Sequence, residues 1–344
     1  MTRVLPLVLL IGSNIACEGG VGGLGGISGT DHPCIGSRTD TVWVDDDGVV
    51  WVGCGTTTDG TGLYRSPDMG GSWAEVSSFS TFRVSHIHRA SDDKLYVAGT
   101  DTAGSDRVRA IISETEMELS FESQSQTWNS FHVGSYARTD DGLSVAESLT
   151  GSDLAWRDDD GSDWVDGYGW PSDGNSYQVL DMVVHQGEIV GVGSTITQPP
   201  SVFTQVEGAG FAMDPISLAD FDGELWTVDS DGSGLIAGGV DQGTDVGVVF
   251  WNDGDPSSAA DWQMLEISEF ADGFSWIRGV CRDNDMLVAV GEYSSQGLGL
   301  MLVSEDGGDT WSDKTPAGAP TLSQCMILGS DLVVAGADGW FGVL

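Results

Sequence analysis

The chain has 344 residues, of which 40% are hydrophobic and 50 are glycine, so it can bury a core rather than remain disordered. Its 53 acidic residues against 13 basic ones give a formal net charge of −40, and such a field repels the phosphates of nucleic acids and anionic lipids. We therefore exclude nucleic-acid binding. The acidic surface favours solubility, or alternatively attracts cations and basic partners.

The first residues have the features of an export signal. A short positive start at Arg3 precedes an apolar run over residues 4–11, which is too short to span a bilayer as a helix. Ala16 and Cys17 then resemble the end of a bacterial lipoprotein signal, in which a small residue precedes the cysteine that becomes lipidated. Asn14 departs from that pattern, since a branched apolar residue is usual there.

This resemblance implies an address in the cell envelope. We predict a signal peptide over residues 1–16 and a lipid on Cys17 that makes the only membrane contact, on the periplasmic or outer side. The glycine-rich segment 17–38 is then a flexible tether that ends near a possible closing strand. A freely secreted protein is the alternative.

A repeat over the remaining chain predicts the fold. Seven segments read as a strand, an acidic or glycine-containing turn, and a second strand that ends in small residues. Their turns lie 45 to 53 residues apart, a spacing typical of four-stranded propeller blades. The segments are 41–53, 82–99, 131–147, 177–193, 225–239, 276–291 and 322–336. We therefore predict an all-β, seven-bladed β-propeller of four-stranded antiparallel blades over residues 39–344.

Ring closure is predicted from the two ends of this domain. The last repeat has room for about three strands before Leu344. A fourth strand from the segment around His32 to Arg38 would complete the sheet and remove an exposed edge.

A second pattern keeps the same period. Residues 304–311 match the Asp-box pattern S-x-D-x-G-x-T-W, residues 66–73 match it with Ser in place of Thr, and residues 157–164 form a degenerate copy. The Asp carboxylate can accept turn N–H groups, Gly can take a positive φ, and Trp can fill the gap between sheets. The predicted structural residues are Ser66, Asp68, Gly70, Trp73, Asp159, Gly161, Trp164, Ser304, Asp306, Gly308 and Trp311.

With these motifs, residues 40–344 resemble the Asp-box (BNR-type) propellers, which include sialidases, sortilin-type receptors and photosystem II assembly factors. The run 286–311 is especially similar to the assembly-factor type. The shared residues are framework, so the resemblance implies the fold and leaves the ligand open.

Four cysteines besides Cys17 suggest two disulfides in an exported chain, although four cysteines allow three connectivities. Cys281 and Cys325 occupy equivalent places before the turns of adjacent repeats. We predict that these two pair, and that Cys34 pairs with Cys54.

Sialidase chemistry is the enzymatic alternative that the resemblance implies. Sialidases hold a substrate carboxylate with three arginines beside a Tyr–Glu pair and an Asp. Arg83, Arg138 and Arg278 fall on predicted inner strands, but the sequence around Arg83 lacks the proline of the sialidase motif. No Tyr–Glu pair can be assigned, so other glycoside hydrolases stand equally as the alternative.

Other chemistry has weaker sequence signals. The acidic hairpin turns could bind calcium, but aspartate and glycine favour such turns anyway. His86 and His88 alternate on one strand without a ligand pattern, so we predict no metal site and no cofactor, with calcium as the exception. Trp43, Trp226 and Trp276 lie near the starts of inner hairpins and are either core residues or part of a binding face.

We therefore predict a monomeric binding or assembly module for a protein or glycan rather than an enzyme. The predicted central face comprises Arg83, Arg138, Arg278, Trp43, Trp226 and Trp276.

Overall fold

The computed structural model describes residues 33–45, 47–55, 62–90, 94–101, 106–113, 116–122, 133–148, 154–158, 163–166, 177–195, 199–206, 211–271, 273–293 and 297–344. The predicted signal peptide, Cys17 and most of the tether lie outside these ranges, as do Asp159 and Gly161. Within them, no helix is long and apolar enough to span a bilayer.

The described chain is all-β, with three single-turn 3₁₀ helices at Ser77–Phe79, Ala259–Asp261 and Ile267–Glu269. Each sheet is an antiparallel meander in which consecutive strands pair. The first three sheets contain β1 Thr39–Val44, β2 Val50–Cys54, β3 Gly62–Ser66 and β4 Ala74–Glu75; β5 Phe82–Arg89, β6 Leu95–Asp101, β7 Asp106–Ser113 and β8 Glu116–Glu122; and β9 Val133–Arg138, β10 Ser144–Ser148, β11 Leu154–Arg157 and β12 Val165–Asp166.

The later sheets follow the same plan. They contain β13 Tyr177–His185, β14 Glu188–Thr195, β15 Pro200–Gln205 and β16 Met213–Ser217; β17 Gly223–Ser230, β18 Leu235–Asp241, β19 Val246–Asn252 and β20 Gln263–Glu266; β21 Ser275–Asp283, β22 Met286–Tyr293, β23 Leu298–Ser304 and β24 Ser312–Asp313; and β25 Leu322–Leu328, β26 Asp331–Gly336 and β27 Phe341–Val343.

The prediction of seven four-stranded blades is wrong. The described residues form a β-propeller with six four-stranded blades, and β25–β27 form a three-stranded sheet. Residues 33–37, from which a fourth strand was expected, form turns, and Arg38 makes only an isolated antiparallel bridge to Ala337. His32 lies outside the described residues.

The apolar core is divided into layers between neighbouring sheets. One layer joins Leu63 and Phe79 of the first sheet to Val97 of the second, and another joins Val228 and Phe250 to Val192 of the preceding sheet. Val52 packs in the same way with Val333 and Phe341 of the three-stranded sheet, so the ring is closed by apolar contact. Each sheet is therefore stabilised by its two neighbours rather than by a core of its own.

A bulge recurs where the first strand of each sheet pairs with the second. The register shifts by one residue at this point in each sheet of the described chain. Opposite most of the bulges the second strand carries a glycine, at which a Cβ would lie 1.8–2.5 Å from a carbonyl oxygen of the first strand. These glycines are Gly99, Gly193, Gly239, Gly291 and Gly336. These five glycines are therefore required by contact within their own sheet.

Both predicted cysteine pairs lie at disulfide distance. Cys34 and Cys54 have Cα atoms 5.3 Å apart and fix the turn before β1 to the end of β2. Cys281 and Cys325, with Cα atoms 5.7 Å apart, join the neighbouring strands β21 and β25. Two disulfides are typical of a protein exported from the cytosol.

The turns at residues 66–73 and 304–311 have the same hydrogen-bond network. In the second turn the Ser304 hydroxyl donates to Asp306 Oδ1 at 2.8 Å and accepts the Gly308 N–H at 2.9 Å, while Asp306 Oδ1 also accepts the Thr310 N–H at 2.8 Å. Hydrogen bonds from Thr310 and Ser304 lower the pKa of Asp306. Each turn joins the third and fourth strands of its sheet.

The tryptophans of these turns pack between sheets rather than on a binding face. The ring of Trp311 lies 5.8 Å from that of Trp251 in the preceding sheet, and Trp73 lies 5.3 Å from Phe341 in the same way. Trp164, from the degenerate copy, packs against the layer between the second and third sheets. These residues stabilise the ring.

Gly308→Ala should destabilise the fold through this packing. Gly308 has φ +98°, and a Cβ there would lie 2.3 Å from the Trp251 ring. Gly318 has φ +77° with nothing within 4 Å of a Cβ, so Gly318→Ala is a control for backbone strain alone. We expect Gly308→Ala to lower the free energy of unfolding by about 1–3 kcal/mol more than Gly318→Ala, as measured by urea denaturation. Equal losses would contradict the predicted clash.

Candidate functional site: the central channel

The first strands of the sheets surround a central cavity of 410 Å³. Because these strands pair on one side only, part of their backbone polar groups face the cavity or a neighbouring sheet. The bulged residues of six sheets are among those that line the cavity. These residues are Asp40, Ser85, Leu180, Trp226, Arg278 and Ser323. The bulge, which the repeat did not reveal, therefore decides what the channel offers to a ligand.

The predicted central-face residues do not all meet at the channel. Trp43, Trp226 and Arg278 line it, whereas Arg83, Arg138 and Trp276 are not among its lining residues. Arg138 is 8% exposed and donates to the Gly142 carbonyl at 3.0 Å and to Ser144 Oγ at 2.8 Å, within its own hairpin. Arg83 lies on β5 opposite Thr100. The three-arginine arrangement of a sialidase is therefore not formed.

One end of the channel carries an arginine held between two tryptophans. The Arg278 guanidinium carbon lies 4.8 Å from the centre of the Trp226 ring and 4.3 Å from that of Trp276. Glu292 Oε1 accepts hydrogen bonds from Arg278 Nε at 3.1 Å and Nη2 at 2.7 Å. Burial lowers the pKa of Arg278, while Glu292 favours its charged form. We call Trp226, Trp276, Arg278 and Glu292 the arginine–tryptophan cluster.

Neighbouring groups fix the geometry of this cluster. Trp226 donates its indole N–H to Glu224 Oε2 at 2.9 Å, and the Thr321 hydroxyl donates to Glu292 Oε2 at 2.9 Å. The Phe274 ring lies 4.6 Å from that of Trp276. The cluster is partly exposed and is held in one arrangement before any ligand arrives.

Deeper in the channel, side chains of one sheet bind the backbone of the next. Asp181 Oδ2 accepts the Val228 N–H at 3.0 Å, and Asp229 Oδ2 accepts the Arg282 N–H at 2.8 Å. The Ser135 hydroxyl accepts the Met182 N–H at 3.0 Å. Each first strand pairs with only one other strand, so some of its N–H groups have no partner within the sheet. The side chains of the neighbouring sheet accept hydrogen bonds from these groups.

A histidine and a serine extend this network around the channel. The Ser135 hydroxyl donates to Asp181 Oδ1 at 3.0 Å, and His86 Nδ1 lies 3.5 Å from the same oxygen. Ser135 is fully buried, and the aspartate contacts the same ring nitrogen that faces the serine. A nucleophilic triad needs the aspartate on the opposite nitrogen of the imidazole, so this grouping orders the wall.

Ion pairs of Arg282 join the fifth and sixth sheets at the hairpin end of the channel. Arg282 contacts Asp231 at 3.2 Å and Asp253 at 2.6 Å. Burial of Asp231 opposes its ionisation, but hydrogen bonds from Ser233 and Gly234, together with Arg282, hold its pKa at about 2. His185, whose pKa is lowered by burial, lies 2.8 Å from Ser230 Oγ.

Glu147 is one of two exceptions to glycine behind the bulges of the described sheets; the other is Cys54. Glu147 occupies the place that a glycine holds in most other sheets, with Ala146 opposite Tyr136 and Ser148 opposite Val133. Its side chain is 1% exposed, and neither carboxyl oxygen has a hydrogen-bond partner among the described residues. Burial, with a contribution from Asp181, raises the pKa of Glu147 well above its usual range. The break in the repeat, Val-Ala-Glu in place of Val-Ala-Gly, is the signal from which the sequence could have indicated this residue.

The acidic hairpin turns in which calcium binding was predicted lie only partly within the described residues. In one of them, the Asp231 carboxylate is occupied by its own turn and by Arg282. No group of three or more His, Cys, Asp or Glu side chains in the described ranges is arranged to hold a metal ion. Calcium binding remains a prediction.

Comparisons with known proteins support the fold alone. No protein-family model and no curated protein matches the chain. Among solved structures, YCF48 bound to a D1 peptide matches with a TM-score of 0.61 at 14% identity, covering 90% of this chain and 94% of that one. YCF48 from Cyanidioschyzon merolae matches with a TM-score of 0.58 at 14% identity, covering 89% and 97%. The WD40 propeller domain of Doa1 matches with a TM-score of 0.60 at 12% identity, covering 90% and 93%.

The channel makes stability depend on pH through Asp229. Burial, together with the charges of Asp181 and Asp231, raises its pKa from 3.8 to about 6, despite hydrogen bonds from the Arg282 and Ser230 N–H groups. The folded state therefore binds the proton more tightly than the unfolded state, and the stability this contributes is lost as pH rises through 6.

We expect Asp229→Asn to remove this loss. The free energy of unfolding of Asp229→Asn minus that of wild type should increase between pH 4 and 7. The increase should be at most about 3 kcal/mol, because the pKa of Asp229 differs by about two units between the folded and unfolded states. Urea denaturation at several pH values checks this. A difference between the two proteins that stays constant with pH would contradict a raised pKa at Asp229.

Proposed function

We propose that this propeller is a non-enzymatic, protein-binding module whose contact surface is the channel end that carries the arginine–tryptophan cluster. The observation that carries the proposal is Arg278, partly exposed, between Trp226 and Trp276 and held by Glu292. Tryptophan and arginine dominate the binding energy of protein interfaces, and a preorganised side chain loses little entropy on binding.

Two further observations support a protein partner. One of the structures that shares the fold, YCF48, is bound to a peptide, which indicates that this architecture can present a peptide-binding face. A glycan, the other partner expected from the sequence, would need open indole faces on which to stack, and Arg278 covers a face of both rings. We therefore favour a protein over a glycan.

Replacing Arg278 tests the surface. Peptides selected from a random displayed library against the wild-type chain should bind Arg278→Ala and Trp226→Ala about 30-fold more weakly, because each change removes an interface anchor. Arg65→Ala is the matched control. Arg65, on β3, also lies over a tryptophan ring, 5.6 Å from that of Trp51, but it is not among the residues that line the channel. Isothermal titration gives the dissociation constants. Peptides that bind all of these variants equally well would overturn the proposed surface.

We also propose that the chain is tethered to the cell envelope through Cys17. The signal-like start of the sequence and the two disulfides support this address. In a bacterial host, Cys17→Ser should abolish incorporation of labelled palmitate and release the protein into the soluble fraction. Cys34→Ser leaves this signal intact and serves as the control. A soluble wild-type protein without label would instead indicate simple secretion.

A further inference from the structure

The arginines that line the channel are already neutralised by carboxylates. Each of the three has a carboxylate partner within salt-bridge distance. The pairs are Arg38 with Asp40 at 2.6 Å, Arg278 with Glu292 at 2.7 Å, and Arg282 with Asp231 at 3.2 Å and Asp253 at 2.6 Å. Their charges therefore leave no surplus for an anionic ligand.

Within the described residues, neither Asp181 nor Asp229 is paired with an arginine or a lysine. Asp181 accepts only from the Ser135 hydroxyl and backbone N–H groups, with His86 at 3.5 Å, and Asp229 accepts from backbone N–H groups. The two carboxylates lie on the neighbouring strands β13 and β17, joined through the Val228 N–H that Asp181 binds. Both line the channel. The wall therefore has a surplus of negative charge at this place.

Glu147 is a second, independent observation at this place. Glu147 faces the bulge of β9 between Val133 and Tyr136, in which Gly134 lines the channel, and the Asp181 charge contributes to raising the Glu147 pKa. The Glu147 side chain is 1% exposed, and in the part of the chain that the structure describes both carboxyl oxygens lack a hydrogen-bond partner. A buried carboxyl group without partners is costly unless a ligand compensates it.

We propose that the channel binds the cationic side chain of a lysine or arginine from the protein partner, between Asp181 and Asp229 with Glu147 behind them. This inference rests on the proposed function and specifies the chemistry of the partner. An ammonium group supplies three N–H donors and one positive charge, which the carboxylates can accept. The net charge of −40 would also steer a basic partner toward the propeller.

The test compares two peptides that differ by one charge. Acetyl-Gly-Gly-Lys-Gly-Gly-amide and the same peptide with norleucine in place of lysine are titrated into the full chain at 0.15 M salt. We expect the lysine peptide to bind at least tenfold more tightly, and Asp181→Asn and Asp229→Asn each to abolish this preference. Asp241→Asn is the matched control, because Asp241 accepts bonds from its own turn outside the channel lining.

A measurement on the wild-type chain keeps the test valid if these variants do not fold. In NMR spectra, the lysine peptide should shift the indole signals of Trp43 and Trp226, which line the channel, and leave that of Trp340 in place. Equal affinity for the two peptides, or shifts spread over all tryptophans, would overturn the inference as non-specific attraction to an acidic surface.

Three outcomes separate this inference from the proposed function. If library-selected peptides lose affinity with Arg278→Ala while lysine and norleucine peptides bind alike, the inference fails and the function stands. If the lysine peptide binds in the channel but Arg278→Ala does not weaken selected partners, the proposed surface fails. If 1,5-diaminopentane binds as tightly as the lysine peptide, the channel is a site for free amines and the partner side chain is rejected.

Discussion

The close approach between each bulge and the residue behind it is the constraint on which the rest of the molecule depends. A bulge bends the first strand and pushes its carbonyl oxygen toward the second strand, so that a glycine is required at most of the facing positions. The bulges also place Asp40, Trp226 and Arg278 among the residues that line the channel. The contact between the first and second strands of a sheet thus determines which residues line the channel.

The exceptions to this rule are informative. In the first sheet the facing position holds Cys54, whose side chain enters a disulfide. In the third sheet it holds Glu147, whose carboxyl group has no hydrogen-bond partner within the described ranges. A polar group buried in this way reduces stability, and proteins keep such groups mainly where they serve a ligand or a conformational change. The one sheet that departs from the framework without a covalent reason is therefore the one that adjoins the unpaired charges of the channel.

The sequence predicted the elements that depend on short-range patterns. The repeat spacing gave the propeller fold, and the equivalent placement of Cys281 and Cys325 gave their pairing, because both follow from position within a repeat. The strand count of the last sheet was wrong, since residues 33–37 are in turns that spacing alone does not reveal. The channel was predicted poorly: alternation places Arg138 near the axis, but the bulge changes the phase of the strand and sends this residue into a hairpin. Asp181, Arg282 and Glu292 were missed because their roles depend on neighbours about 14 to 50 residues away.

The layered core has a consequence for how the chain can be divided. Because each apolar layer is shared by two neighbouring sheets, removal of any one sheet would expose two apolar faces to water and break the ring. The contact of Val52 with Val333 is of the same kind as those elsewhere in the ring, so the boundary between the first and last sheets has no privileged role in packing. The order in which the sheets follow one another along the chain is in this sense arbitrary: a permuted chain that joins the last sheet to the first and opens an outer loop elsewhere would keep every layer intact, whereas excising a blade would not.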